Sequence, residues 1–295
     1  MKPKRRFDLA LVAVFVCLAL LTLLPVSGVV KGPASDLKSR LEVKYGLKIT
    51  GEGNLLTGKD AQGYLNAFDK GMSLFGAPFI KELVAIYRKA GTTPIVKFSK
   101  YTGRDREDAF YDWDDGGVVI GLMVESPYSG KPALGLAPQT ITHEIGHLIY
   151  YGICEKYGEE KFERDWTAVN DGIPYREGNP YPEWEEDEAG FDSGEQAVPA
   201  GELEEAEDGW DEEADYSYIY VSEYAATDAF EDFAEIIAYI LTEPERVRKL
   251  TEDPRGAVLK AKVDFIEKTL KEYFTTFKGF FSWGYPCPGA EAPFS

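Results

Sequence analysis

Residues 137–151 read Ala137-Pro-Gln-Thr-Ile-Thr-His143-Glu144-Ile-Gly-His147-Leu-Ile-Tyr-Tyr151. Proline at the second place suits a helix start, where no backbone N–H is needed, and the apolar run after it continues the turn. The stretch predicts a helix from about Pro138 to Tyr151. Inside it, His143-Glu144-Ile145-Gly146-His147 is H-E-x-x-H, and it holds both of the two histidines in the chain. Positions i and i+4 share a helix face, so the two imidazoles can reach one metal ion. Glu144 sits one residue along and points beside the metal, where it can contact a water. A zinc ion lowers the pKa of such a water to about 7, and a carboxylate there can take its proton as it attacks a carbonyl. Gly146 leaves room for another backbone or side chain to come close.

A zinc site needs a third protein ligand. With no third histidine, the pattern that extends H-E-x-x-H to a further His is ruled out, which leaves a carboxylate or Cys154. The helical segment Asp228-Ala-Phe-Glu231-Asp-Phe-Ala-Glu235-Ile-Ile supplies carboxylates within an apolar face. Glu231 and Glu235 are one turn apart, so one can bind the metal while the other accepts a hydrogen bond from a ligand imidazole. The Phe and Ile residues around them favour an inward-facing pair over a solvated stripe.

Together the two segments resemble those of gluzincin metallopeptidases related to anthrax lethal factor and the Pro-Pro endopeptidases. Ser222-Glu-Tyr224-Ala-Ala-Thr-Asp-Ala-Phe-Glu231-Asp-Phe-Ala-Glu235 carries that family's spacing, a Tyr seven positions before the ligand Glu and a second Glu four positions after it. The resemblance implies His143, His147 and Glu231 as ligands of one zinc ion per chain, Glu144 as general base, and Glu235 as the partner of a ligand imidazole. It also implies that the Tyr224 hydroxyl stabilises the oxyanion of a tetrahedral intermediate. The strand predicted at Val118 to Val124 resembles the edge strand on which such enzymes lay an extended substrate. Trp166-x-x-x-Asn170 and Tyr175 resemble the stretch that follows the zinc helix in bacterial and archaeal relatives. The likeness covers about residues 117 to 241 and is specific at the two zinc segments.

The rest of the chain falls into place around these segments. Lys31 to Lys44 reads as a polar linker, and Leu41 to Thr50 has β-like patterning. Asp60 to Phe75 and Pro78 to Ala90 have helical spacing, and Pro94 to Ser99 is a candidate strand. Gly117 to Val124 is the strongest strand, entered through the turn-like Asp112-Trp-Asp-Asp-Gly-Gly. Helices are predicted near Thr227 to Leu241 and Arg255 to Phe274. Gly53-Asn-Leu-Leu-Thr-Gly58-Lys59 mimics the start of a P-loop, but Asp60 replaces the Ser or Thr that would hold magnesium, so it reads as a turn before a helix.

At 295 residues and 44% hydrophobic content the chain is long and apolar enough for one large core or two modest ones. Its formal net charge of -19 gives no counterion-release gain on a polyanion, which excludes general nucleic-acid binding. Most of that charge is local. Removing the sixteen acidic residues of the Lys- and Arg-free stretch Glu183 to Asp215 takes the net charge from -19 to -3. The stretch reads as an acidic insertion: a solvated loop, a cation site, an attractor of basic substrates or a lid.

Lys2, Lys4, Arg5 and Arg6 precede an uncharged apolar run from Leu9 to Val30. A basic start and an apolar run indicate a signal peptide or an N-terminal membrane anchor over residues 1–30, with residues from about 31 onward outside the cytoplasm. Of the three cysteines, Cys17 lies in the apolar run; Cys154 and Cys287 can pair in an oxidising compartment or remain separate thiols.

These observations predict an α+β, two-lobed zincin-like metallopeptidase domain over residues 31–295. The predicted activity is zinc-dependent hydrolysis of peptide bonds in a protein or peptide substrate, by an exported or anchored chain that works as a monomer. The alternative from another class is a non-catalytic, zinc-containing extracellular binding protein that uses the same cleft and acidic loop. Tyr224 speaks against it, since a structural zinc site has no use for an oxyanion donor. An intramembrane protease is disfavoured by the polar sequence after the H-E-x-x-H helix.

Overall fold

The computed structural model describes residues 33–100, 109–114, 117–124, 134–176 and 216–280. The apolar N-terminal run, Asp115 and Gly116, the acidic stretch and Cys287 lie outside the described residues. In chain order the elements are α1 (Pro33–Tyr45), β1 (Lys48–Gly51), α2 (Ala61–Met72), α3 (Ala77–Lys89), β2 (Ile95–Ser99), β3 (Ala109–Asp114), β4 (Gly117–Met123), α4 (Pro138–Tyr157), α5 (Glu159–Ala168), α6 (Ala229–Thr242), α7 (Pro244–Glu252) and α8 (Ala257–Tyr273). The class is α+β, as the sequence predicts. Among the described residues, no helix is long and apolar enough to cross a membrane.

The sheet has strand order β1-β2-β4-β3. β1, β2 and β4 run parallel, in a register that pairs Ile49 with Val96 and Val96 with Ile120. Ile49, Val96, Phe98, Ile120 and Leu122 of these short strands are buried, while Lys48 and Lys97 are exposed. β3 runs antiparallel to β4, with Tyr111 opposite Ile120 and Asp114 opposite Gly117. β4 is therefore paired on both sides and is not the edge strand that the resemblance implies; β3 takes that position. Asp112 to Asp114, expected as the start of a turn, are instead the last residues of β3, held by their pairing with Gly117 to Val119 of β4.

α4 runs through the middle of the molecule, in contact with β3 and β4 on the sheet and with α2, α3, α5, α6 and α8. Every residue from Ile141 to Tyr150 is buried. The helix extends past Tyr151 to Tyr157 because Gly152, Ile153 and Cys154 are also buried and no breaking residue intervenes. Gly158, at φ +93°, ends it and starts α5, a backbone conformation that L side chains rarely adopt. α6 is buried almost as completely, from Asp232 to Leu241. The two helices meet where Gly146 faces Ala234: a Cβ at Gly146 would lie 2.8 Å from the Ala234 Cα. One cluster of buried apolar side chains runs from Leu41 to Phe280 and spans both sides of α4.

Two further expectations change. The stretch expected as a linker is α1, whose Leu37, Leu41 and Tyr45 share one face at four-residue spacing and pack on the core; the charges between them hide that stripe. The β-like pattern expected from Leu41 is confined to β1. Residues 53–60 form turns before α2, as read from the failed P-loop match.

Candidate metal centre

The site is built where α4 and α6 cross. Asp228 caps α6, its carboxylate accepting hydrogen bonds from the backbone N–H groups of Phe230 (2.7 Å) and Glu231 (2.8 Å). That cap places Glu231 in the first turn. A sequence signal for it exists, Asp followed three residues later by Glu before an apolar run. The close Gly146–Ala234 contact then brings α6 against the His143/His147 face of α4.

The ligand-type atoms converge. His143 Nε2 lies 3.0 Å from Glu231 Oε2 and 3.0 Å from His147 Nε2, and His147 Nε2 lies 3.4 Å from Glu231 Oε2. Four-coordinate zinc with bonds of about 2.0–2.1 Å sets its ligand atoms roughly 3.3 Å apart. The three side chains fit such an ion, and among the described residues they form a group able to hold a metal. Cys154, buried elsewhere on α4, is not part of that group.

Glu235 stands behind His143, with Oε1 2.8 Å from His143 Nδ1. A carboxylate there holds a hydrogen on Nδ1, which leaves Nε2, facing the cluster, as the nitrogen that gives up its proton to take a metal. Ser222 Oγ donates to the other carboxylate oxygen, Oε2, at 2.6 Å. His147 is fixed differently: its ring stacks on Phe230, centroids 3.8 Å apart, and Tyr111 of the edge strand lies 5.9 Å away. Glu144 is buried beside the pair, 5% exposed.

The charges are coupled. Burial lowers the pKa of His143, but hydrogen bonds to Glu231 and Glu235 and the Glu144 charge outweigh it and raise the pKa to about 10. Burial also acts on His147, and there it wins, pushing the pKa down. Burial works against ionised Glu231, yet the two imidazoles hold its carboxyl well below the usual range. Tyr224 lies on a 3-10 turn, Tyr224–Ala226, with its ring centroid 5.7 Å from that of His143. Burial and the neighbouring Glu231 charge push its phenol pKa up, so the hydroxyl keeps its proton near neutral pH.

Trp166, Asn170 and Tyr175 brace this arrangement from behind. The Trp166 indole donates to the Ala229 carbonyl at 2.7 Å, and Tyr175 OH donates to Asp232 Oδ2 at 3.0 Å. Asn170 Nδ2 donates to Ile173 O and to Tyr220 OH. Asp232, next to Glu231, also pairs with buried Lys262 at 2.8 Å. Sequence reasoning missed Asp228, Ser222, Asp232 and Lys262. Only Asp228 carries a local signal; the others matter through partners far along the chain.

All the residues expected at the site, His143, Glu144, His147, Tyr224, Glu231 and Glu235, are thus on or beside one cluster. No protein-family model and no curated protein matches the chain. Among solved structures it is similar to a candidate zinc-binding metallo-peptidase from Bacteroides caccae, at 12% identity and a TM-score of 0.46, over 84% of this chain and 86% of that one.

Proposed function

We propose that this chain is a zinc-dependent endopeptidase of the gluzincin type, related to the lethal factor and Pro-Pro endopeptidase group. The reading is carried by one observation, the convergence of His143 Nε2, His147 Nε2 and Glu231 Oε2 within 3.0–3.4 Å of one another. Zinc, when bound, supplies a Lewis acid that makes water nucleophilic near neutral pH. The protein supplies the rest. Glu144 takes a proton from the water as its oxygen adds to the peptide carbonyl, then gives that proton to the departing amine as the C–N bond breaks. Tyr224, protonated, donates a hydrogen bond to the carbonyl oxygen as it gains negative charge. Glu235 keeps His143 oriented.

An extended substrate would lie along β3, an edge strand of the sheet among the described residues, in a cleft between a sheet-bearing lobe with α4 and a helical lobe with α6. Export or membrane anchoring through residues 1–30, and action as a monomer on proteins or peptides, complete the proposal.

The test is cleavage of a diverse peptide mixture by the purified, zinc-loaded protein, with Glu144→Gln as control. The expected result is cleavage by the unaltered protein, about 10²–10⁴-fold slower in Glu144→Gln with zinc still bound. Turnover retained in Glu144→Gln removes the general-base role. Stoichiometric zinc without any cleavage leaves the non-catalytic binding protein as the better reading.

A further inference from the structure

Ser222 lies outside the metal cluster but touches both groups that flank it. Its single hydroxyl proton is committed to Glu235 Oε2 at 2.6 Å, a short, charge-assisted hydrogen bond. Its oxygen also accepts from the backbone N–H of Ala225 at 3.0 Å, inside the turn that presents Tyr224. Glu235 uses its other oxygen on His143 Nδ1 at 2.8 Å. A chain of three bonds therefore runs from the Tyr224 turn through Ser222 and Glu235 to His143.

The terminal torsion of a Glu side chain is broad, so a carboxylate held at one oxygen only can still rotate. With both oxygens engaged, Glu235 has one orientation. It accepts at each oxygen, which keeps a hydrogen on His143 Nδ1 and turns Nε2, the nitrogen that would bind the metal, toward Glu231 and His147. On its other side Ser222 Oγ holds the Ala225 N–H of the turn that begins two residues later. The turn and the α6 carboxylate are thus tied at one oxygen atom.

We propose that Ser222 is a positioning residue that sets two things at once: the orientation of His143 through Glu235, and the place of the Tyr224 hydroxyl. This rests on the zinc reading of His143, His147 and Glu231. Ser222 is half-buried, and removing its hydroxyl opens little space, so the effect is on orientation and not on packing.

The experiment compares Ser222→Ala, Ser222→Gly and Ser222→Thr in the full chain. Zinc affinity is read by competition with a chelator, and the fold by circular dichroism of the metal-free forms. Zinc should bind about tenfold to a hundredfold more weakly in Ala and Gly, the range for loss of a group that orients a ligand. Thr, which keeps the hydroxyl, should restore it. On a cleaved peptide, Ser222→Ala should lower kcat more than it changes KM. Adding Tyr224→Phe should then cost less than it does in the unaltered chain, because the phenol is already displaced. A folded Ala or Gly variant with undiminished affinity overturns the proposal, as does Thr binding as weakly as Ala. If neither Ala nor Gly folds, the hydroxyl is a requirement of the fold and the positioning role is overturned. An unaltered chain that binds no zinc sinks the zinc reading itself, and a chain that binds zinc but cleaves nothing sinks only the peptidase reading; the affinity comparison still decides on Ser222.

Discussion

Gly146 and Ala234 are in contact across the α4–α6 crossing, so tightly that a Cβ on Gly146 would sit 2.8 Å from the Ala234 Cα and 3.1 Å from its carbonyl oxygen. Backbone, not a yielding side chain, is what that atom would meet. The same crossing sets the distance between His143 and His147 on one helix and Glu231 on the other. Gly146→Ala should therefore push the helices apart and weaken zinc binding by at least tenfold, although the mutation touches no ligand. Overpacking of this kind typically costs about 1–3 kcal/mol of stability as well. Metal content after dialysis, read beside the unfolding midpoint, checks both. Unchanged zinc affinity would mean that the crossing does not set the ligand distances.

Glu231 and Glu235 are separated by one helical turn and by role. Glu231→Ala removes a ligand atom and should leave the purified protein with little or no zinc. Glu235→Ala removes the acceptor behind His143 and should weaken zinc by about tenfold to a hundredfold without abolishing it. Elemental analysis and chelator competition on both variants separate the cases. If Glu235→Ala loses the metal and Glu231→Ala keeps it, the two roles are exchanged.

Glu82 on α3 clamps the chain after α8. Its carboxylate accepts from the backbone N–H groups of Thr275 and Thr276, at 2.9 and 2.8 Å, and from both hydroxyls. Partial burial raises its pKa, but these four bonds outweigh that and lower it. A carboxyl whose folded pKa is depressed contributes stability that is present above its ordinary value of 4.5 and lost as pH falls through the lowered value. Glu82→Gln should thus destabilise the protein by about 1–3 kcal/mol at pH 7 and by progressively less below pH 4.5. Thermal melts across pH 3–7 test this. A deficit that stays constant with pH would show that the charge is not what holds the segment.

How far the sequence could be read depends on whether a residue acts through near or distant neighbours. His143, Glu144 and His147 were legible because a helix turns i and i+4 to one face, and the α6 carboxylates because Phe and Ile around them implied burial. Tyr224 entered only through the resemblance, by its place seven residues before Glu231. α1 was not, since charged residues interrupt the Leu37, Leu41 and Tyr45 stripe. β3 was not either, because its Asp-rich sequence resembles a turn and nothing local says that an antiparallel edge strand completes a parallel sheet. The bracing network joins Asn170 and Tyr175, Tyr220, Asp232 and Lys262 from separate segments. No periodicity within one segment can announce it.

Lys262 and Asp232 form a pair with side chains 1% and 0% exposed, at 2.8 Å. Lys262 Nζ also donates to the Ile219 carbonyl and lies 4.0 Å from the Tyr220 ring centroid. Burial pushes the Asp232 pKa up to about 6 in spite of the lysine, and pushes that of Lys262 down. Desolvation therefore dominates both partners, and removing only one leaves a buried charge without compensation. Lys262→Met should cost about 3–5 kcal/mol, whereas Asp232→Asn with Lys262→Met should recover much of that loss, because the neutral amide can still accept from Tyr175. Since Asp232 adjoins Glu231 on α6, zinc affinity should fall in the single variant and return in the double. Denaturant unfolding of the metal-free proteins and chelator competition on the loaded ones complete the cycle. Strictly additive single-variant losses would show that the two residues act independently and that the pair does not hold α6 in place.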